Sequence, residues 1–118
     1  LQVVASQTAN WERAQGYIVF QNILQSHPEI EALFACNDMM ALGAIEAVAA
    51  AGKTGAIKVV GFDAVEDARR AIENGVMHAS VAQFPSERGR LAVESAKHLI
   101  DGEPLPNYLP TKIELIVK

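Results

Sequence analysis

Five residues of the chain have the types and placement to hold a small polar molecule: Trp11, Asn37, Phe62, Asp63 and Gln83. Each follows the carboxyl end of a short apolar run, and in open parallel α/β sheets ligands bind in the crevice at that end of the strands. After the first run come Ser6, Gln7, Asn10 and Trp11. After the second come Asn37 and Asp38, after the third Phe62 and Asp63, and after the fourth Gln83 and Phe84. Amides and carboxylates each engage two adjacent hydroxyls, and a flat ring covers a C–H face, so the set suits a neutral polyhydroxylated ligand. Every member also has an ordinary use. Asn37, Asp38 and Asp63 are good helix-cap types, Trp11 and Phe62 can sit at the rim of a core, and Gln83 can be a loop residue. Independent caps would not need to place an amide or carboxylate after every run.

Catalytic readings fare worse. There is no Gly-x-Ser-x-Gly elbow, no Gly-x-Gly-x-x-Gly, no phosphate-binding Walker loop and no His-Glu-x-x-His. Cys36 falls within an apolar run and is expected to be a small buried hydrophobe rather than a nucleophile. With that single cysteine and only three scattered histidines, His27, His78 and His98, a structural zinc site lacks ligands and a disulfide within the chain is excluded. No metal or cofactor is expected. Asp63 as the phosphoacceptor of a receiver-like domain would need further carboxylates at the end of an early strand to hold magnesium, and Leu1 to Gln7 offers none. A net charge of −4 gives no footprint for gripping nucleic acid through this segment.

The elements that must position these residues are legible as alternating strands and helices. With 118 residues, half of them hydrophobic, one compact domain is the ceiling. Leu1 to Val4 reads as a first strand, cut from something longer, since Leu1 is no start methionine. A helix from Asn10 to Ser26 carries Ala14, Tyr17, Phe20 and Leu24 on one face. Ala32 to Cys36 is the second strand, and Asn37-Asp38 opens a helix that Gly52 ends. Lys58 to Phe62, a helix from Ala64 to Glu73, and Ala79 to Gln83 follow. Ser86 to Ile100 is the longest helix, and Pro104, Pro106 and Pro110 then mark an extended crossing before an edge-like strand at Lys112 to Lys118. The alternation predicts an α/β fold with a parallel sheet covered on both faces. The longest apolar stretch, Met39 to Ala51, is too short to suggest a membrane span.

Four stretches resemble the periplasmic sugar-binding proteins of bacterial ABC transporters, of the ribose-binding type. They are Ala5-Ser6-Gln7-Thr8-Ala9-Asn10-Trp11-Glu12-Arg13, Asn37-Asp38-Met39-Met40-Ala41-Leu42-Gly43-Ala44, Val59-Val60-Gly61-Phe62-Asp63 and Ala79-Ser80-Val81-Ala82-Gln83-Phe84-Pro85. The second and third are shared with sugar-responsive repressors of the LacI type, so they fix the superfamily; the first and last lean toward the transporter branch. The resemblance implies the C-terminal lobe of a two-lobed type I periplasmic-binding fold. Residues 1–118 would be the partial sugar-binding lobe, and 84–110 a hinge-crossing segment that packs on the other lobe. It implies a non-enzymatic receptor that delivers a ribose-like monosaccharide to a membrane permease, or, as the alternative, the effector core of a LacI-type repressor. The implied location is the periplasm, or the cell exterior through a lipid anchor in a Gram-positive organism, with no export signal within the 118 residues. Trp11 would stack on the sugar ring, Asn37, Asp63 and Gln83 would hydrogen-bond its hydroxyls, and Phe62 would lie beside them. Asp38 matches no ligand residue of the family and keeps its reading as a helix cap. Self-association or domain swapping would cover the helix that the other lobe otherwise covers.

Overall fold

Arg13–Ser26 forms helix α1, and the residues it buries, Gly16, Phe20, Ile23 and Leu24, recur at helical spacing. It stops at His27, where the following Pro28 disfavours helical geometry. Strand β1, Ala32–Phe34, leads to α2, Asp38–Ala50, whose N-cap is Asn37: its Oδ1 accepts the Met40 N–H at 2.9 Å. Gly52, at φ 67, turns the chain out of α2 while the Lys53 N–H donates to the Val48 carbonyl at 3.0 Å. Then come β2 (Lys58–Asp63), α3 (Glu66–Glu73), β3 (Ala79–Ala82), α4 (Pro85–Ile100) and β4 (Glu114–Val117). All 118 residues are described in this computed structural model.

The sheet has the order β1-β2-β3-β4, parallel among the first three strands and antiparallel between β3 and β4. Phe34 pairs with Val60, and Asp63 with Ala82, so the carboxyl ends of β1, β2 and β3 lie side by side. Helices α2 and α3 pack on the sheet, and α1 packs on α2. The core joins Phe20 and Leu24 of α1 to Leu42 and Val48 of α2, Val59 of β2, and Ile72 and Met77 around α3. Gly16 and Gly43 allow α1 and α2 to touch backbone to backbone. A Cβ on Gly43 would lie 2.0 Å from the Arg13 carbonyl oxygen, and one on Gly16 2.5 Å from that of Met40.

Three expectations are corrected. Leu1–Val4 is not a strand: it runs irregularly, with Leu1 and Val3 exposed, because no neighbouring strand offers it a ladder of hydrogen bonds. It lies instead along an apolar cavity of about 520 Å³ bordered by Val19, Phe20, Ile23, Leu33 and Met40. Cys36 is exposed rather than buried. Along Ala32 to Cys36 burial alternates, and Ala32, Phe34 and Cys36 all fall on the open side of the pleat. The helices leave that side of the edge strand uncovered, Phe34 being 60% exposed, so the sheet is not covered on both faces throughout. No helix is long and apolar enough to cross a membrane.

Candidate functional site

Four of the five singled-out residues fall in two hydrogen-bonded groups, Asn37 with the Trp11 carbonyl and Asp63 with Gln83, and Phe62 adjoins Asp63 on β2. The first is built by the entries to α1 and α2. Asn10 and Trp11 take left-handed backbone geometry, φ 51 and 65, which swings the chain into α1 and leaves the Trp11 ring 65% exposed. Asn37, half-buried, uses its Oδ1 as the α2 cap and donates from Nδ2 to the Trp11 carbonyl at 3.1 Å. The capping use and the site placement of Asn37 thus coexist, with one N–H and one lone pair of its amide unspent.

The second group is built by the ends of β2 and β3. Asp63 closes β2 with an exposed side chain, and its Oδ1 accepts from Gln83 Nε2 at 2.5 Å. Oδ2 makes no hydrogen bond within the chain. Gln83 is oriented from its other end, since Arg88 in the first turn of α4 donates to Oε1. Phe62 is half-buried beside Asp63 on the strand, and the Phe84 ring, where the chain turns at φ 50 into α4, lies under the Lys112 ammonium at 4.6 Å. Arg88 and Lys112 were not singled out from the sequence. Both are exposed basic residues: Arg88 lies only five residues beyond Gln83, but nothing in the sequence aims it there, and the approach of Lys112 to Phe84 depends on how the chain folds back.

Between the two groups lies a buried link. Asp38 does not cap α2. Its carboxylate is fully buried and accepts the Val65 N–H at 2.8 Å through Oδ2 and the Ser80 hydroxyl at 2.6 Å through Oδ1. The Ser80 oxygen in turn accepts the Ala64 N–H at 3.0 Å. Burial pushes the Asp38 carboxyl above the ordinary carboxylate range; the bonds from Ser80 and Val65 oppose this, and the nearby Asp63 charge adds to it. The polar Ser80 inside the apolar run Ala79 to Ala82 was the sequence signal for this network. No three His, Cys, Asp or Glu side chains come together as a metal would require. The arrangement offers acceptors, donors and ring faces, and the hydroxyl that sits on a carboxylate, Ser80 on Asp38, is fully buried.

Residues 1–104 match the family model described as the periplasmic binding protein domain. The chain belongs to that family. This periplasmic binding protein domain is 42% identical over 116 residues to the ribose import binding protein RbsB of Escherichia coli strain K12, covering 98% of the chain and 39% of that protein. It is also 42% identical over 110 residues to the D-allose-binding periplasmic protein of the same organism, covering 93% of the chain and 34% of that protein. Among solved structures, a solute-binding protein of Actinobacillus succinogenes 130z with bound D-allose superposes with a TM-score of 0.90 at 35% identity, over 98% of the chain and 41% of that structure. A Caulobacter myo-inositol binding protein bound to myo-inositol gives 0.87 at 39% identity, over 98% of the chain and 40% of that structure. The fold is thus the α/β fold of type I periplasmic binding proteins, as the sequence resemblance implied. The chain spans about 39% of the length of the ribose-binding relative.

Proposed function

We propose that the chain forms one wall of the cleft of a two-lobed monosaccharide receptor, its C-terminal lobe, which serves an ABC-type importer from the periplasm or the outer cell surface. The observation that carries this reading is the bonded pair of Asp63 and Gln83 at the adjacent ends of β2 and β3, beside Phe62, with Asn37 bonded to the Trp11 carbonyl at the start of α2. Carboxylate and amide bind adjacent hydroxyls, and Trp11 offers a ring face for stacking. The relatives named for ribose and D-allose binding support this ligand class, and "import" in the first name supports a permease partner over the DNA of a repressor. Helix α4 buries none of its residues and leaves Val93, Leu99 and Ile100 exposed, which supports residues 84–110 as the segment that packs on the other lobe. The same face offers a surface to a second copy when the chain is alone, and sedimentation of the isolated chain tests that pairing. The test of the receptor reading is titration of the two-lobed protein with D-ribose, D-allose and myo-inositol. Saturable binding of at least one, weakened in Asp63→Ala, is expected; binding of none overturns the reading.

A further inference from the structure

Asp63 and Ala64 are consecutive non-glycine residues at positive φ, 112 and 54, in the turn that leads from β2 to α3. Such geometry persists only where its surroundings over-determine it. Here three polar backbone groups of the turn are taken by three different elements. The Ala64 N–H goes to Ser80 of β3, the Val65 N–H to Asp38 of α2, and the Ala64 carbonyl accepts from Arg69 Nε of α3 at 2.9 Å. Asp38 and Ser80, both fully buried, are bonded to one another, so a single carboxylate closes the set. Room for it comes from β2, where a Cβ on Gly61 would lie 2.3 Å from Asp38 Oδ1. A buried carboxylate is a poor way to fill space, because its charge must be satisfied. Both of its bonds run to the turn that carries Asp63, one directly and one through Ser80.

We infer that Asp38 is a positioning residue for ligand binding: through Val65 and Ser80 it holds the strained turn that presents the Asp63 carboxylate to Gln83 and the ligand. The role rests on the receptor reading only for its effect on affinity; its effect on the turn stands apart from it. In the two-lobed protein, Asp38→Ala should raise amide hydrogen exchange at Val65 at least tenfold while the β2 amides keep their protection, and should weaken sugar binding about tenfold. Asp38→Asn, which can still accept one of the two bonds, should recover part of both. In an Asp63→Ala background, Asp38→Ala should cost no further affinity. Ala64→Gly, which takes φ 54 without strain, should restore affinity to Asp38→Ala. Unchanged exchange at Val65, unchanged affinity beside altered exchange, or losses that simply add with Asp63→Ala would each overturn the role. If Asp38→Ala does not fold, Ser80→Ala, read at the Ala64 amide, decides by the same criteria. If the unmodified protein binds none of the sugars, the receptor reading fails separately. The exchange result then decides alone, a tenfold rise at Val65 supporting the hold on the turn and none overturning it.

Discussion

Asp63 gives one oxygen to Gln83 and keeps the other outward, so its loss should fall on ligand binding rather than on the fold. A hydrogen bond to a charged group contributes about 1.5–3 kcal/mol. Asp63→Ala in the two-lobed protein should therefore weaken sugar affinity about tenfold to a hundredfold, since ~1.4 kcal/mol is one decade. Calorimetric titration reads this directly, and a large loss of stability with intact affinity would assign Asp63 to the fold instead. Asp38 behaves in the opposite sense. Its carboxyl is held above its ordinary value, so the folded state binds that proton more tightly than the unfolded chain does. Its contribution to stability is greatest at acid pH and is lost as pH rises from about 4 through the raised value. Urea unfolding of the unmodified protein and Asp38→Asn across that range should show the substitution removing this fall. His78, whose ring is held below its ordinary value by burial and by Lys58, adds a loss on acidification below about 6.5 in both proteins. Strand-end punctuation made Asn37, Asp63 and Gln83 legible as candidates. Asp38 was misread because a carboxylate at a helix start has the cap type whichever donors it meets, and those donors lie 27 and 42 residues away.

At the scale of elements, the crossing of α1 and α2 is set by what is missing from two glycines. Gly43→Ala would drive a methyl into the Arg13 carbonyl and the Tyr17 amide, contacts of 2.0 and 2.8 Å that no rotamer relieves. Overpacking of this kind costs about 1–3 kcal/mol or more, and chemical denaturation should show it, whereas Gly89→Ala, in open space on α4, should be neutral or slightly stabilising. The exposed Arg13–Glu46 ion pair across the same crossing, 2.6 Å long, contributes little beside this. Strands β1 to β3 and all four helices were legible because an apolar run or stripe between turn residues is a local signal. Leu1–Val4 carries the same signal and still forms no strand, since a strand exists only through a neighbour and its own residues do not name one. The direction of β4 was hidden for the same reason: alternation marks a strand and not its orientation.

The chain as a whole is longer than its mass requires. Its extents are 58 × 27 × 27 Å and its radius of gyration 17.7 Å, against about 13–14 Å for a compact chain of this length. Its accessible surface of 7780 Å² exceeds the ~6200 Å² of a typical folded monomer of this mass. The open rim has the same consequence for binding. In the proposed site, polar contacts from Asn37, Asp63 and Gln83 at ~1–3 kcal/mol each, with ~1 kcal/mol from stacking on Trp11, would face a loss of ligand freedom of ~4–15 kcal/mol. The isolated chain should therefore bind ribose and its relatives at millimolar dissociation constants or weaker. Titration followed by the fluorescence of Trp11, the single tryptophan, reads this, and micromolar saturation would show that one wall suffices. The elongation has a mechanical meaning too. The chain leaves β3 at Ala82 and comes back at Glu114, and those two residues are register partners on adjacent strands. Everything between them is therefore tied to the sheet by two cords attached side by side. Two neighbouring anchor points define a line, and a body held on a line keeps one easy rotation about it while sliding and twisting are resisted. A second lobe packed on α4, as proposed, should inherit that single degree of freedom, with Asp63 and Gln83 next to the axis, where the rotation moves them least.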